Sequence, residues 1–214
     1  MPSTAGATSL CSSIVGNLVQ NCGFDGATDG NVPADWNASQ FTSFEAIVDS
    51  PVNGSDSNSM RIANDEFQGG EPLLNGAAIM SQDFTDTPGE QYTFDFYVYN
   101  GDPNGAEEQF QAFWEPTTDP TDQVDNLAAE TPVYSDDGTG TTNSFSLESL
   151  TVTGTGADSI IFTSYNTPDY YYLADVSLVD TGVNVSATPE PGTLLLLGAG
   201  LLGLGWRKRH HIPL

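Results

Sequence analysis

The chain has 214 residues, 38% of them hydrophobic, which is enough for one folded domain with a sizeable core and a tail. It holds 29 acidic residues and only 4 basic ones, and three of the basic ones are consecutive, at Arg207, Lys208 and Arg209. We call residues 1–188, which precede the tail, the body. A body this acidic repels phosphate groups, so nucleic acid and anionic membrane surfaces are excluded as its ligands. The acidity fits a solvated surface, tolerance of high salt, or the binding of cations.

The distribution of residue types narrows the chemistry that the body can perform. Both histidines, His210 and His211, lie in the basic tail, which excludes Ser-His-Asp catalysis, Cys-His catalysis and histidine-ligated zinc. The body also has no lysine, which excludes Schiff-base chemistry and a phosphate-binding P-loop. Carboxylate chemistry remains, with glycoside hydrolysis as its main case, but no acidic pair stands out. We therefore predict that the protein is not an enzyme.

Residues 1–15 are predicted to be the remnant of an export signal or a disordered leader. They are mostly small and polar and resemble only the last part of a signal peptide, so we expect the true signal to lie upstream. Cys11 and Cys22 are the two cysteines of the chain. In an exported protein this pair can form a disulfide that pins the N-terminal segment to the first strand. The alternative is two free thiols.

Residues 16–181 consist of short segments of alternating apolar and polar residues, separated by clusters of Gly, Pro, Asn and Asp. No segment keeps helical spacing for long. The predicted fold is all-β: a single β-sandwich of jelly-roll type with about 8–10 antiparallel strands. In chain order, the predicted strands are 17–21, 41–48, 60–63, 77–84, 91–99, 109–114, 133–134, 144–152, 159–164 and 171–179.

The clearest of these segments is 91–99. One face of this strand would carry Tyr92, Phe94, Phe96 and Val98, and the other would carry Thr93, Asp95, Tyr97 and Tyr99. The segment 109–114 follows a turn that contains Gly and Pro, so we predict that the two strands form a hairpin. Residues 116–141 are predicted to be a long acidic loop.

A linker at 182–188 and a tail at 189–214 are predicted to follow the sandwich. The run 193–206 has no charged residue and would form a short hydrophobic helix of about 21 Å. A bilayer core is ~30 Å thick, so the run is a marginal transmembrane segment. Trp206 and the basic tail 207–211 are typical of the cytoplasmic end of such a segment, which would place the body outside the cell.

The order of the three parts of this tail closely resembles the PEP-CTERM sorting domain. The tail begins with Pro189, Glu190 and Pro191, continues with the hydrophobic run, and ends with the cluster Arg207, Lys208 and Arg209. The resemblance implies a bacterial protein that is exported and held transiently in the inner membrane, with the basic cluster as the membrane stop. A membrane-embedded exosortase would recognise the motif at 189–191 and process the tag. The protein would then reach the cell surface or the extracellular matrix and associate with exopolysaccharide or biofilm.

The body resembles galactose-binding-like and carbohydrate-binding jelly rolls at both of its ends. Residues 17–25 (NLVQNCGFD) are similar to their opening strand, and residues 171–178 (YYLADVSL) are similar to their closing strand. Many such jelly rolls hold a structural Ca²⁺ where these strands meet, so the resemblance implies Asp25 and Asp175 as candidate ligands. Strict alternation would turn Ala174 inward with Val176 and Leu178, and would turn Asp175 outward.

Exposed aromatic side chains are the groups through which such modules bind sugars. The candidates are Tyr97, Tyr99 and Trp114, followed by Tyr165, Tyr170 and Tyr171. Trp36 is predicted to belong to the core. For Trp114, both core packing and an exposed sugar platform remain open.

Together, the sequence predicts a non-catalytic, exported surface or matrix protein that is sorted through its C-terminal tag. A carbohydrate-binding module is the alternative, and a carboxylate-dependent glycoside hydrolase is a weaker one.

Overall fold

The computed structural model describes ten stretches of the chain: 10–25, 32–39, 47–48, 59–62, 78–101, 109–117, 127, 130–138, 144–165 and 171–184. The chain divides into two units, Met1–Val183 and Asn184–Leu214. This boundary lies two residues beyond 181, the predicted end of the sandwich. The sorting motif, the hydrophobic run and the basic tail lie outside the described residues. No helix in the described stretches is long and apolar enough to cross a membrane.

The described structure is almost entirely β, apart from a short 3₁₀ turn at Cys11–Ser13. The strands are β1 (Asn37–Ser39), β2 (Ile47–Val48), β3 (Ser59–Ile62), β4 (Ala78–Thr85), β5 (Glu90–Asn100), β6 (Gln109–Pro116), β7 (Tyr134–Asp136), β8 (Ser146–Thr153), β9 (Ala157–Tyr165) and β10 (Tyr171–Asn184).

These strands form two five-stranded sheets. Sheet I has the order β1-β4-β9-β6-β7, and sheet II has the order β2-β3-β10-β5-β8. The registers that are described within both sheets are antiparallel. The prediction of an all-β sandwich is therefore confirmed.

Interlocked aromatic rings fill the space between the sheets. On β5, Tyr92, Phe94, Phe96 and Val98 are all buried, as their alternation predicted. Phe162 of sheet I is fully buried, and its ring centroid lies 5.9 Å from that of Phe94 and 5.3 Å from that of Phe96. It also lies 5.8 Å from the ring of Phe110 and 6.2 Å from that of Trp36. Trp36 is 5% exposed, which confirms its prediction as a core residue.

The predicted hairpin between 91–99 and 109–114 is wrong, because the two strands lie in different sheets. β5 pairs with β8 in sheet II, whereas β6 pairs with β9 in sheet I. Phe96 of β5 and Phe110 of β6 meet across the core, with their ring centroids 6.1 Å apart. Two strands with alternating apolar residues can bury their apolar faces in either of two ways: paired within one sheet, or packed against each other across a core. In this protein the aromatic rings pack across the core.

A smaller apolar cluster covers the outer side of sheet I. It consists of Ile79, Phe113, Leu127 and Ile161. Leu127 belongs to the predicted loop 116–141 and is 2% exposed, so at this residue the loop covers the sheet. This second cluster explains why Phe113 is buried although its neighbour Ala112 faces the main core.

The predicted first strand at 17–21 is also wrong: this segment has no strand conformation. Asn21 has a φ of 46° and Phe24 a φ of 56°, in the left-handed region that a strand excludes. The segment nevertheless meets the closing strand, since Leu18 N–H donates to Leu178 O at 2.9 Å and Val176 N–H donates to Cys22 O at 3.1 Å.

The side chain of Asn17 links this segment to β10. Its Oδ1 accepts hydrogen bonds from Val19 N–H at 3.1 Å and Leu178 N–H at 2.9 Å. Its Nδ2 donates to Cys11 O and Val176 O, both at 3.4 Å. Asn17 thus supplies side-chain hydrogen bonds where a regular strand would supply backbone ones.

A disulfide joins Cys11 to Cys22 in the structure. Both residues are buried in the main core, at 1% and 6% exposure. The bond closes the segment that Asn17 holds against β10, so it pins this segment to the closing strand and not to an opening strand.

Replacement of Phe162 by alanine should lower the free energy of unfolding by about 3–5 kcal/mol, because the ring fills the centre of the core. Urea unfolding followed by tryptophan fluorescence measures this loss. Phe162→Leu keeps most of the volume and should lose clearly less. Equal stability of Phe162→Ala and the parent protein would contradict the packing described above.

The double variant Cys11→Ser/Cys22→Ser should lose about 3 kcal/mol of stability, because the unfolded chain gains the entropy of an open loop. Peptide mapping under non-reducing conditions checks that the bond is present in the exported protein. Reducing agent should destabilise the parent and leave the double variant unchanged. Two titratable thiols in the native exported protein would show that the disulfide does not form.

Candidate functional site

The outer face of sheet II carries a cluster of aromatic side chains. Tyr97 and Tyr99 alternate with the buried residues of β5 and are half-buried on this face. Tyr172 of β10 lies beside them: its ring stacks on that of Tyr99, with the centroids 5.4 Å apart and the planes at 29°. Phe145, just before β8, also lies beside Tyr99, with the two ring centroids 5.4 Å apart. We call Tyr97, Tyr99, Tyr172, Phe145 and Leu147 the tyrosine face.

Leu147 forms the exposed border of the tyrosine face. It pairs with Tyr97 in the register of β5 and β8, so the two side chains share the outer side of the sheet. Leu147 is 52% exposed, so it adds apolar surface beside the half-buried tyrosines. The tyrosine face is therefore partly apolar and accessible to a ligand.

Farther along the same side of the sheet, polar residues follow the aromatic rings. Asp95 pairs with Ser149, and Thr93 pairs with Thr151. Oδ1 of Asp95 is shielded from solvent and accepts no hydrogen bond. A flat, partly apolar surface with hydroxyl and carboxylate groups beside it suits a ligand that presents both C–H surfaces and hydroxyl groups.

Sequence reasoning selected Tyr97 and Tyr99 but missed Tyr172. Its neighbours Tyr171 and Leu173 are fully buried, so Tyr172 projects to the opposite side of β10. The same alternation rule that separated the faces of β5 would have found it. The selection of Tyr171 and Tyr165 as exposed aromatics is wrong, because both are buried; Tyr170 lies outside the described residues.

Trp114 does not belong to the tyrosine face. It lies on β6 of sheet I, where its ring stacks on Phe84 with the centroids 6.4 Å apart. Its Nε1–H donates to Thr153 O of β8 at 3.1 Å, so the indole bridges the two sheets at one edge of the core. These contacts favour core packing, which was one of the two interpretations that the sequence left open.

The predicted orientation of Asp175 and Ala174 is wrong, because β10 has a bulge at this point. Asp175 has a φ of 47°, and Leu173 and Val176 both face the main core although they are three residues apart. Ala174 is buried but does not join Val176 in that core. The bulge brings Asp175 to 4% exposure, with its Oδ1 accepting a hydrogen bond from Cys11 N–H at 3.3 Å.

This arrangement bears on the calcium ion that was expected at Asp25 and Asp175. One oxygen of Asp175, Oδ1, accepts the Cys11 N–H, and Asp25 is exposed. Within the described stretches, no group of three or more acidic, histidine or cysteine residues is placed to hold a metal ion. The two residues therefore fit calcium poorly in this conformation, and calcium binding stays a prediction.

The remaining site residues of the sequence analysis belong to the tail. Pro189, Glu190 and Pro191 and the cluster Arg207, Lys208 and Arg209 lie outside the described residues. Residues 187–209 match the family model of the PEP-CTERM protein-sorting motif. No curated protein matches the chain.

Solved structures resemble the sandwich at low sequence identity. A proposed sugar-binding protein from Bacteroides thetaiotaomicron is 12% identical, with a TM-score of 0.51 over 77% of this chain and 100% of that one. A family 16 carbohydrate-binding module is 13% identical, with a TM-score of 0.45 over 76% of this chain and 99% of that one. The enzymatically active domain of tailspike protein 4 from bacteriophage CBA120 is 16% identical, with a TM-score of 0.46; the match covers 77% of this chain but only 21% of that one.

At these identities, the likeness to solved structures concerns the fold alone. The motif at 187–209 indicates a protein that is exported and sorted to the cell surface. The chain is thus a jelly-roll-like β-sandwich that carries a C-terminal PEP-CTERM protein-sorting motif.

Proposed function

We propose that this is a non-catalytic surface protein whose sandwich binds carbohydrate through the tyrosine face. The observation that carries the proposal is the cluster of Tyr97, Tyr99 and Tyr172 on the outer side of one sheet, bordered by the exposed Leu147. An aromatic ring packs well against the C–H surface of a pyranose, and the phenol hydroxyl can hydrogen-bond to the hydroxyl groups of the sugar.

The cluster is held in place before any ligand arrives. The ring of Tyr99 lies 5.4 Å from those of Phe145 and Tyr172. Tyr99 and Tyr172 belong to adjacent strands, and Phe145 directly precedes β8. Side chains that are already ordered lose little conformational entropy when a ligand binds. This arrangement suits an extended polysaccharide that lies along the sheet.

The distribution of carboxylates favours binding over hydrolysis. A glycoside hydrolase needs two carboxyl groups on either side of the scissile bond. Along the described strands of sheet II, Asp95 is the carboxylate that lies on the outer side with the tyrosines. Burial raises the pKa of the Asp136 carboxyl, as a catalytic acid requires, but Asp136 belongs to β7 of sheet I.

The tag would determine where the protein meets its ligand, and the charge of the body would limit which ligand it binds. An exosortase would process the tag after transient residence in the inner membrane and leave the sandwich at the surface, where extracellular polysaccharide or a biofilm matrix is the available ligand. A chain with 29 acidic residues and 4 basic ones favours an uncharged polysaccharide over an anionic one.

Replacement of Tyr97 by alanine should weaken retention on a bound polysaccharide at least ~10-fold, which corresponds to ~1.4 kcal/mol. Affinity electrophoresis against a panel of neutral and acidic polysaccharides measures the effect. Trp114→Ala is the matched control, because it removes a larger aromatic ring from the other sheet. It should lower the melting temperature but leave retention unchanged. Loss of retention in Trp114→Ala together with normal retention in Tyr97→Ala would refute the assignment of the site.

Mass spectrometry of the C-terminus of the protein from the surface fraction tests the role of the tag. We expect a mature chain that ends before Arg207, because the exosortase would remove the basic cluster. Glu190→Ala should leave the full-length chain in the membrane fraction. Intact Trp206, Arg207 and Lys208 in surface material would contradict processing.

A further inference from the structure

Two chain connections cross between the sheets at the same end of the sandwich. Residues 86–89 lead from β4 of sheet I to β5 of sheet II, and residues 154–156 lead from β8 of sheet II to β9 of sheet I. They are hydrogen-bonded to each other: Gly89 N–H donates to Gly154 O at 2.8 Å, and Asp86 N–H donates to Gly156 O at 3.4 Å. Gly154 N–H donates to Glu90 O at 2.9 Å.

Two aspartates meet at this junction. Asp158 is fully buried, and its two carboxylate oxygens accept hydrogen bonds from the backbone N–H and the hydroxyl of Thr155, at 2.6 and 2.8 Å. Asp86 accepts a hydrogen bond from Gly156 N–H through Oδ1, at 2.6 Å. The other oxygen of Asp86, Oδ2, is shielded from solvent and receives no hydrogen bond while both carboxyls are ionised.

A single proton would satisfy that oxygen. Protonated Asp86 can donate a hydrogen bond to the side chain of Asp158, which ionised Asp86 cannot do. On one side, backbone packs closely against this carboxyl. A Cβ atom added at Gly154 would lie 2.9 Å from the Asp86 carboxyl and 2.8 Å from Thr87 O, so the carboxyl packs directly on the glycine backbone.

Among the residues that the structure describes, basic side chains are scarce. The titratable groups on the elements packed around it are Asp83 of β4, Glu90 and Tyr92 of β5, and Glu115 of β6. The Tyr92 hydroxyl accepts a hydrogen bond from Thr87 N–H at 2.9 Å. Arg61 of β3 is the single basic residue between residues 1 and 188. The junction is therefore surrounded by acids.

We infer that protonated Asp86 donates a hydrogen bond to Asp158 and that this bond forms a pH-dependent latch between the two connections, closed when Asp86 holds its proton and loosened when Asp86 loses it. The latch lies where β5 begins and β8 ends, and these two strands carry part of the tyrosine face. Protonation thereby fastens these two strands in an acidic medium, at the end opposite to the paired residues Tyr97 and Leu147. The inference does not depend on carbohydrate binding.

The direction of the pH dependence follows from the ionisation of Asp86. Burial, and next the contact with Asp158, raise the pKa of Asp86 from 3.8 to about 6 in the folded protein. A raised pKa in the folded state means that this carboxyl stabilises the fold fully below the unfolded value of 3.8 and that this stabilisation is lost as the pH rises through about 6. The latch should therefore open between about pH 5 and 7.

Thermal unfolding between pH 4 and 8, in buffers with a metal chelator, tests the latch with two variants. In Asp86→Asn, the amide keeps an oxygen for Gly156 N–H and gains an N–H that can donate to Asp158, so it imitates the protonated state at every pH. Asp180→Asn removes the same charge from an exposed residue of β10, and its amide oxygen can still accept from Gly182 N–H.

The melting temperature of the parent and of Asp180→Asn should fall in parallel as the pH rises from 5 to 7. The melting temperature of Asp86→Asn should fall clearly less, and this variant should be the most stable of the three proteins at pH 7.5. The ¹³C resonance of the Asp86 carboxyl in the parent should titrate near pH 6. Titration of that resonance near pH 4, or three parallel melting curves, would overturn the inference.

Discussion

The ring of Phe162 lies where the two sheets of the sandwich meet, in contact with Phe94 and Phe96 of the opposite sheet. Because of this packing, the inward positions of β5 and β9 carry apolar side chains. The alternate positions point outward, since successive side chains of a strand face opposite sides. On sheet II, those positions form the tyrosine face. On sheet I, the outward cluster around Phe113 is covered by Leu127 of a loop. The two sheets thus share one core but present different outer surfaces.

The N-terminal segment shows how the sandwich closes without an opening strand. Left-handed residues such as Asn21 prevent regular pairing, so the side chain of Asn17 and the disulfide between Cys11 and Cys22 hold the segment to β10. The bulge at Asp175 belongs to the same arrangement, because it turns this carboxylate inward to accept the Cys11 N–H. A site that resembles a calcium site in sequence is therefore organised by backbone donors and a disulfide.

The near absence of basic residues shapes both the surface and the interior of this protein. Without lysine or histidine in the body, a buried acid has few possible partners besides backbone N–H groups, hydroxyls and protons. Asp158 accepts from the hydroxyl and N–H of Thr155, and Asp86 accepts from Gly156 N–H through one oxygen. The other positive charges concentrate in the tail, within the residues that match the PEP-CTERM protein-sorting motif.

The sequence by itself determined the fold class, the two faces of β5, the burial of Trp36 and the sorting tag, because these depend on local alternation, composition and contiguous motifs. It did not determine that β5 and β6 belong to different sheets, since pairing across a core and pairing within a sheet use the same alternation. It also did not determine the inward turn of Asp175, because one bulged residue reverses the alternation beyond it. Tertiary structure decided which aromatics meet: it joined Tyr172 to Tyr99 and separated Trp114 from both, because strands distant in the chain become neighbours only when the core packs.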